Sequence, residues 1–159
     1  MAFNLRPLLA ASSLLTVLSC GGGGASPAAP TTPATPSSAS PQVGGSYEIA
    51  VRLTDNSCGP GVTVAAQPTS VAHVPGAAEF TLTHGGFQAA GTVGRDGAFT
   101  TRPSSVQDPQ GPATLAIAGR FTATTLEATV TVDVQRATQP CRYLVNWTGV
   151  KQGGPNVIG

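Results

Sequence analysis

The chain has 159 residues and a formal net charge of +1, with 8 lysines and arginines against 7 aspartates and glutamates. This length predicts a single domain, and the near-neutral balance excludes the basic surface that nucleic-acid binding requires. Only 9% of the residues are charged, which also excludes an acidic solvating tail.

The N-terminal segment has the organisation of a secretory signal. Arg6 is its one charged side chain, and an uncharged, mostly apolar run follows over residues 8–18. At about 1.5 Å per residue, this run is shorter than the roughly 30 Å hydrocarbon core of a bilayer. A basic start, a short apolar run and a small residue behind it predict an exported protein, with a signal peptide over residues 1–19.

The run ends in Val17-Leu18-Ser19-Cys20, which resembles the lipobox of bacterial lipoprotein precursors. The resemblance implies that the Cys20 thiol receives a diacylglycerol, with acyl chains such as palmitate, and that cleavage leaves Cys20 as the first residue. Leu18 stands where the family more often has a small residue, and cleavage by signal peptidase I near Ser19 is the alternative.

A lipidated Cys20 predicts an extracytoplasmic protein whose partner is the cell membrane. Each buried CH2 of an acyl chain contributes about 0.8 kcal/mol, and two chains make the attachment stable. In the lipoprotein family, Gly21 after the cysteine is compatible with the outer membrane if the host has two membranes.

Residues 20–42 comprise this cysteine and a linker of Gly, Ala, Ser, Thr, Pro and one Gln. Such a composition cannot bury enough apolar surface to offset the entropy of ordering, which predicts disorder. Its prolines favour an extended, semi-rigid chain. The linker is therefore expected to hold the folded domain away from the bilayer.

From residue 43 onward, apolar and polar residues alternate, which is typical of half-buried strands. Apolar residues occupy the odd positions of 47–53 and the even positions of 126–134. A flexible tail is expected over 152–159. The predicted strands are 46–54, 61–66, 69–74, 78–84, 87–94, 98–102, 113–121, 125–135 and 141–150.

Short connections between these strands predict an antiparallel meander of about eight strands over residues 43–151. Closure into a barrel removes exposed strand edges. The predicted fold class is therefore all-β, with a closed or nearly closed barrel, and a β-sandwich is the alternative.

Two turns fix the register of the central strands. The sequence His84-Gly85-Gly86-Phe87 predicts a two-residue hairpin turn, which places Phe80 opposite Gly91 and lets the ring protect the glycine. A three-residue loop ending in a left-handed Gly97 places Phe99 opposite Val93, so that both are buried.

Once Cys20 carries lipid, Cys58 and Cys141 remain as a pair in an oxidising compartment. Cys58 follows the first strand and Cys141 begins the last one. A disulfide between them lets these strands lie side by side, as closure of a meander requires. Two free thiols, or a metal pair with a histidine, are the alternatives.

The sequence contains no catalytic, metal-binding or cofactor-binding motif, which predicts a protein without enzymatic activity or cofactor. His73 and His84 have no second ligand at metal spacing. A hydrolase with a Ser–His–Asp triad assembled in space is a third, minor hypothesis.

Two functions fit this barrel. The first is a non-catalytic structural or protein-interaction component of the envelope, with the loop over 103–112 as a candidate contact. The second is binding of a small apolar ligand, because the strand pattern and cysteine pair resemble those of lipocalin-like bacterial lipoproteins, although Gly45-Ser46-Tyr47 replaces the lipocalin GxW signature. The candidate lining residues are Tyr47, Phe80, His84, Phe99, Phe121, Tyr143 and Trp147.

Overall fold

The computed structural model describes residues 40–159. The predicted signal peptide, the lipidation site at Cys20 and the linker up to residue 39 lie outside the described residues. Within the described part, no helix is long and apolar enough to cross a membrane. The strands are β1 (Gly45–Asn56), β2 (Thr69–His73), β3 (Glu79–His84), β4 (Phe87–Val93), β5 (Ala98–Thr101), β6 (Ser104–Asp108), β7 (Gly111–Phe121), β8 (Thr125–Val134) and β9 (Cys141–Lys151).

Eight of these strands close into a barrel in which every pairing is antiparallel. The order around the barrel is β5, β4, β3, β2, β1, β9, β8 and β7, and β7 pairs again with β5. The predicted all-β class and meander barrel are confirmed. Among the described residues, β6 is an additional strand that pairs with β7 alone.

The prediction of a loop over residues 103–112 is wrong, because this region forms a hairpin of β6 and the start of β7. All five residues of β6 pair with β7. The last backbone bond toward β4 runs from Arg102 N to Ala90 O at 2.8 Å. Pro103 follows and has no N–H to donate, so the chain leaves β4 there and continues along β7.

The barrel has two ends, which we call the terminal end and the disulfide end. The terminal end holds the start of β1, the end of β9 and the first and last described residues. The disulfide end holds the end of β1 and the start of β9, which are joined by a bond between Cys58 and Cys141 with Cα atoms 5.0 Å apart. The predicted disulfide is confirmed, and so is the lateral pairing of the first and last strands.

The terminal end is closed by chain segments from both sides. Gln42 and Val157 form an antiparallel bridge. The buried Tyr47 hydroxyl lies 2.8 Å from Val43 O and 2.9 Å from Asn156 Oδ1, two acceptors that share its proton. The sequence predicts a linker and a flexible tail at these positions, whereas the structure packs both against the barrel.

Both central hairpin registers are confirmed. Phe80 lies opposite Gly91, and its ring covers the glycine so closely that a Cβ at position 91 would be 2.6 Å from Phe80 Cζ. Val93 lies opposite Phe99, and Gly97 in the connecting loop has a φ of 81°, the left-handed conformation that such a loop needs. Phe80 and Phe99 are consequently both buried in the barrel.

The connection from β1 to β2, residues 57–68, is named the end cap. The strand predicted over 61–66 is wrong, since this segment pairs with no strand of the described part. Val62 and Val64 are nevertheless half-buried against the core, with exposed neighbours on either side. The end cap runs from the disulfide past the β6–β7 turn to the β3–β4 turn. Its apolar residues therefore cover the opening of the barrel instead of extending its wall.

Candidate functional site

The seven candidate lining residues do not form one site. Four of them pack together near the terminal end, and three lie toward the disulfide end. The first group is Tyr47, Phe80, Phe99 and Phe121, and the second is His84, Tyr143 and Trp147.

The first group is a continuous aromatic cluster. The ring centres of Phe99 and Phe121 are 4.6 Å apart, Phe80 meets both rings edge-on, and Tyr47 lies 5.8 Å from Phe121. Such offset and edge-to-face arrangements stabilise aromatic pairs beyond their burial. None of the four is more than 3% exposed, and burial raises the pKa of Tyr47 to about 12. These rings fill the terminal half of the barrel.

His84 occupies the last inward position of β3 and stacks on Trp147, with ring centres 4.3 Å apart and planes inclined by 30°. Its Nδ1 lies 2.7 Å from Thr69 Oγ1. That hydroxyl also lies 3.1 Å from Gln67 O. Thr69 has a single hydroxyl proton, so either that proton goes to Gln67 O and His84 donates from Nδ1, or Thr69 donates to Nδ1. Burial lowers the pKa of His84, which favours a neutral ring.

Tyr143 joins β9 to the β6–β7 turn. Its hydroxyl donates to Asp108 Oδ2 at 2.7 Å, and Asp108 Oδ1 accepts from the backbone N–H of Gln110 at 2.9 Å. Burial raises the pKa of Tyr143, and the neighbouring carboxylate raises it further. Since both polar groups are used within the fold, this pair serves to hold the turn in place.

The start of the end cap is held by side chains around the disulfide. Asn56 Oδ1 accepts from Cys58 N at 2.8 Å, and Asn56 Nδ2 donates to Gly59 O at 2.7 Å. Arg136 donates to Cys58 O at 2.6 Å. These polar groups fix the first residues of the cap, and the far side is fixed by the bond from Gly85 N to Pro68 O at 2.9 Å.

An outer groove of about 970 Å³ lies on β2, β3 and β4 beside the terminal end. Its floor consists mainly of small and apolar residues. At its edge lies Val74, which is 71% exposed. Residues that line the groove include Gly44, Ala72, Val74, Pro75, Ala77 and Ala90.

Charged side chains border this groove. Arg102 and Glu79 form an exposed ion pair at 3.2 Å. Lys151 donates to Gly44 O and lies 5.1 Å from the centre of the Tyr47 ring, and burial lowers its pKa. The groove therefore combines an apolar floor with two cations and one carboxylate at its border.

Sequence reasoning missed the groove, although one signal was present. The β2–β3 connection reads Val74-Pro75-Gly76-Ala77-Ala78, an apolar composition where an exposed turn is ordinarily polar. His73 beside it serves the fold, since its Nδ1 accepts from Val43 N and its Nε2 donates to Ala77 O.

Across residues 40–159, no group of three or more His, Cys, Asp or Glu side chains is placed to hold a metal ion. No protein-family model matches the chain, and neither a curated protein nor a solved structure matches it at a significant level.

Proposed function

We propose that this chain is an exported, lipid-anchored and non-catalytic domain that binds an extended segment of another envelope protein in the outer groove. The observation that carries this proposal is the groove itself, about 970 Å³ with Val74 exposed at its edge. A concave surface lined mainly by apolar residues, with a few charged groups at its border, is the usual form of a binding site.

The chemistry of the groove specifies its occupant. Small residues in its floor allow the backbone of an extended segment to approach closely. The two cations, Arg102 and Lys151, outnumber the one carboxylate, Glu79. An apolar segment that carries an acidic residue complements both features, and such charge complementarity gives specificity and faster association.

The interior supports a structural role for most of the aromatic residues. The aromatic cluster is packed ring against ring, and the buried Tyr47 hydroxyl is hydrogen-bonded to the segments that close the terminal end. Tyr143 is similarly paired with Asp108. Because these side chains are buried or hydrogen-bonded within the fold, they stabilise the barrel. The proposed contact with a partner is therefore on the outer face.

Export and anchoring rest on two features. The lipobox-like segment ends in Cys20, and the disulfide between Cys58 and Cys141 is typical of proteins outside the reducing cytosol. Mass spectrometry of membrane-extracted protein is expected to find acyl chains on Cys20. A chain with an unmodified N-terminus near residue 20 would contradict the lipid anchor.

Photo-crosslinking in the host envelope tests the binding proposal. A benzophenone amino acid at position 74 is expected to yield an adduct with one protein, joined through an apolar segment that contains an acidic residue. The matched control is position 150, a valine that is 54% exposed and lies outside the groove lining. The adduct should be absent at 150 and should be lost in K151E. Identical adducts from both positions, or none from 74, would refute the proposal.

A further inference from the structure

His73, the last residue of β2, joins two of the chain segments that line the outer groove. Its Nδ1 lies 3.4 Å from the backbone nitrogen of Val43, and its Nε2 lies 3.0 Å from Ala77 O. Val43 lies just before β1, and Ala77 lies in the β2–β3 connection. The groove takes lining residues from both of these segments. The imidazole ring therefore links two sides of this site.

The two partners of the ring fix the position of its proton. A backbone N–H can only donate, so Nδ1 presents a lone pair to Val43. A backbone carbonyl can only accept, so Nε2 carries the proton that faces Ala77 O. A proton added to Nδ1 would set two N–H groups against each other. Protonation of the half-buried His73 ring therefore breaks the contact to Val43 and leaves the contact to Ala77 in place.

Loss of this contact is unfavourable at Val43 because the residue is completely buried. Its amide has no other hydrogen-bond partner among the described residues. A buried N–H without a partner destabilises the arrangement that buries it, which favours displacement of Val43 and Gly44. The Gly44 carbonyl accepts the hydrogen bond from the Lys151 ammonium. The displacement therefore reaches a cation at the border of the groove.

Few other charges face the His73 ring. None of the three ion pairs found within residues 40–159 includes it, and residues 40–44 and 74–78 contain no charged side chain. The Tyr47 hydroxyl meets Val43 from the other side, and burial raises its pKa to about 12. The charged groups on the surrounding elements are Glu48 on β1, Glu79 on β3, Lys151 on β9 and Arg102 after β5. Histidine is the side chain that ordinarily changes its charge between about pH 8 and pH 5.

We propose that His73 makes binding in the outer groove sensitive to acid. When the ring gains a proton, Val43 and Gly44 move away from it, and Lys151 loses the carbonyl that holds it in position. The partner segment then binds more weakly. This inference rests on the proposed function of the groove and adds the condition under which the partner is released.

Nuclear magnetic resonance of the full-length protein tests the conformational change without a partner. Lys151 is the only lysine of the chain, so labelled lysine gives one ammonium signal, which comes from the groove. Between about pH 8 and pH 5, this signal should shift with the same midpoint as the His73 ring. The hydrogen-exchange protection of the Val43 amide, relative to an unfolded chain at the same pH, should fall at least about fivefold. The Gln135 amide, which donates to Pro112 O at 2.8 Å near the disulfide end, is the internal control and should keep its protection.

Two variants separate His73 from general effects of acid. H73N retains an oxygen that can accept from Val43 but does not titrate, so the Val43 protection and the Lys151 signal should no longer change with pH. H84N removes the other histidine of the chain and should keep the wild-type response. Val43 protection that is constant with pH in the wild type, or a response that persists in H73N, would overturn the proposal.

The effect on the partner is measured with the benzophenone amino acid at position 74. Its protein adduct should be at least about threefold less abundant at pH 5 than at pH 8 with His73 present, and equally abundant at both in H73N. Titration of the partner affects both proteins alike, so the difference between them reports His73. An adduct that does not depend on pH, together with a loss of Val43 protection, would refute regulation and leave the groove as a partner site. No adduct at either pH would contradict the proposed function itself, and the regulation with it.

Discussion

Removal of the Cys58–Cys141 bond should cost much of the stability of this domain. The bond closes a loop with a sequence separation of 83 residues. In the chain-entropy treatment, a loop of that length restricts the unfolded chain by about 4.5 kcal/mol at 25 °C. Domains of this size are stable by about 5–15 kcal/mol, so the bond accounts for a substantial part of the total.

Urea unfolding followed by Trp147 fluorescence measures this effect. The tryptophan is 6% exposed and unique in the chain, so its signal reports the barrel alone. With a slope of about 2 kcal/mol per molar urea, a loss of 4.5 kcal/mol lowers the midpoint by about 2 M. C58A/C141A and the wild-type protein reduced with dithiothreitol are both expected to show this shift.

The third cysteine provides the control. C20A changes the one cysteine that is not in the bond, and the midpoint for unfolding of the barrel should not change. A loss below about 1 kcal/mol in both C58A/C141A and the reduced protein would refute the loop-closure reasoning. Stability of the barrel would then have to come almost entirely from its strand ladders and aromatic cluster.

Three further outcomes follow from the core. G91A should destabilise the barrel by at least about 1 kcal/mol in thermal denaturation, because its Cβ would lie 2.6 Å from both Phe80 Cζ and Thr100 O; wild-type stability would contradict this packing. The pKa of Tyr47 is raised to about 12, so on raising the pH the unfolded chain loses the tyrosine proton before the folded one does. The free energy of unfolding should therefore fall from about pH 10 toward pH 12, and it should fall less steeply in Y47F. The same pH dependence in Y47F and in the wild type would contradict the raised pKa of Tyr47. The pKa of His84 is lowered by burial, so stability should fall as the pH drops below about 6.5, and H84F should lack that part of the pH dependence in the same urea titration.

The barrel was predictable because its signals are local. Alternation of period two marks the strands, and glycine-rich turns set the pairing of Phe80 with Gly91 without knowledge of the whole fold. The disulfide was predicted by counting the cysteines that remain once Cys20 is assigned to lipidation. In each case a short segment of the sequence, or the count of cysteines, contained the required information.

The errors arose where the same local pattern serves two structures. Val62 and Val64 alternate with exposed residues as in a strand, but a segment that covers an opening with one face gives the same alternation. In β6, Val106 is the one large apolar residue and a proline stands on either side, which resembles a loop. β6 forms a strand because it pairs with β7, and its own composition does not indicate this.

The outer groove was out of reach for a different reason. Its lining comes from β2, β3, β4 and segments at the terminal end. The sequence contains these residues as separate, unremarkable positions, and only the closed barrel brings Ala72, Ala90 and Lys151 to one surface.

The short β6 strand limits how copies of this domain can associate through their strand edges. Under the proposed lipid anchor, copies of this domain would meet at high local concentration, where an unpaired strand edge can template aggregation. The outer edge of β6 is five residues long, and Pro103 and Pro109 at its two sides cannot donate to a guest strand. A neighbouring molecule could therefore add only a brief ladder there, which keeps closely spaced copies of this domain from joining edge to edge.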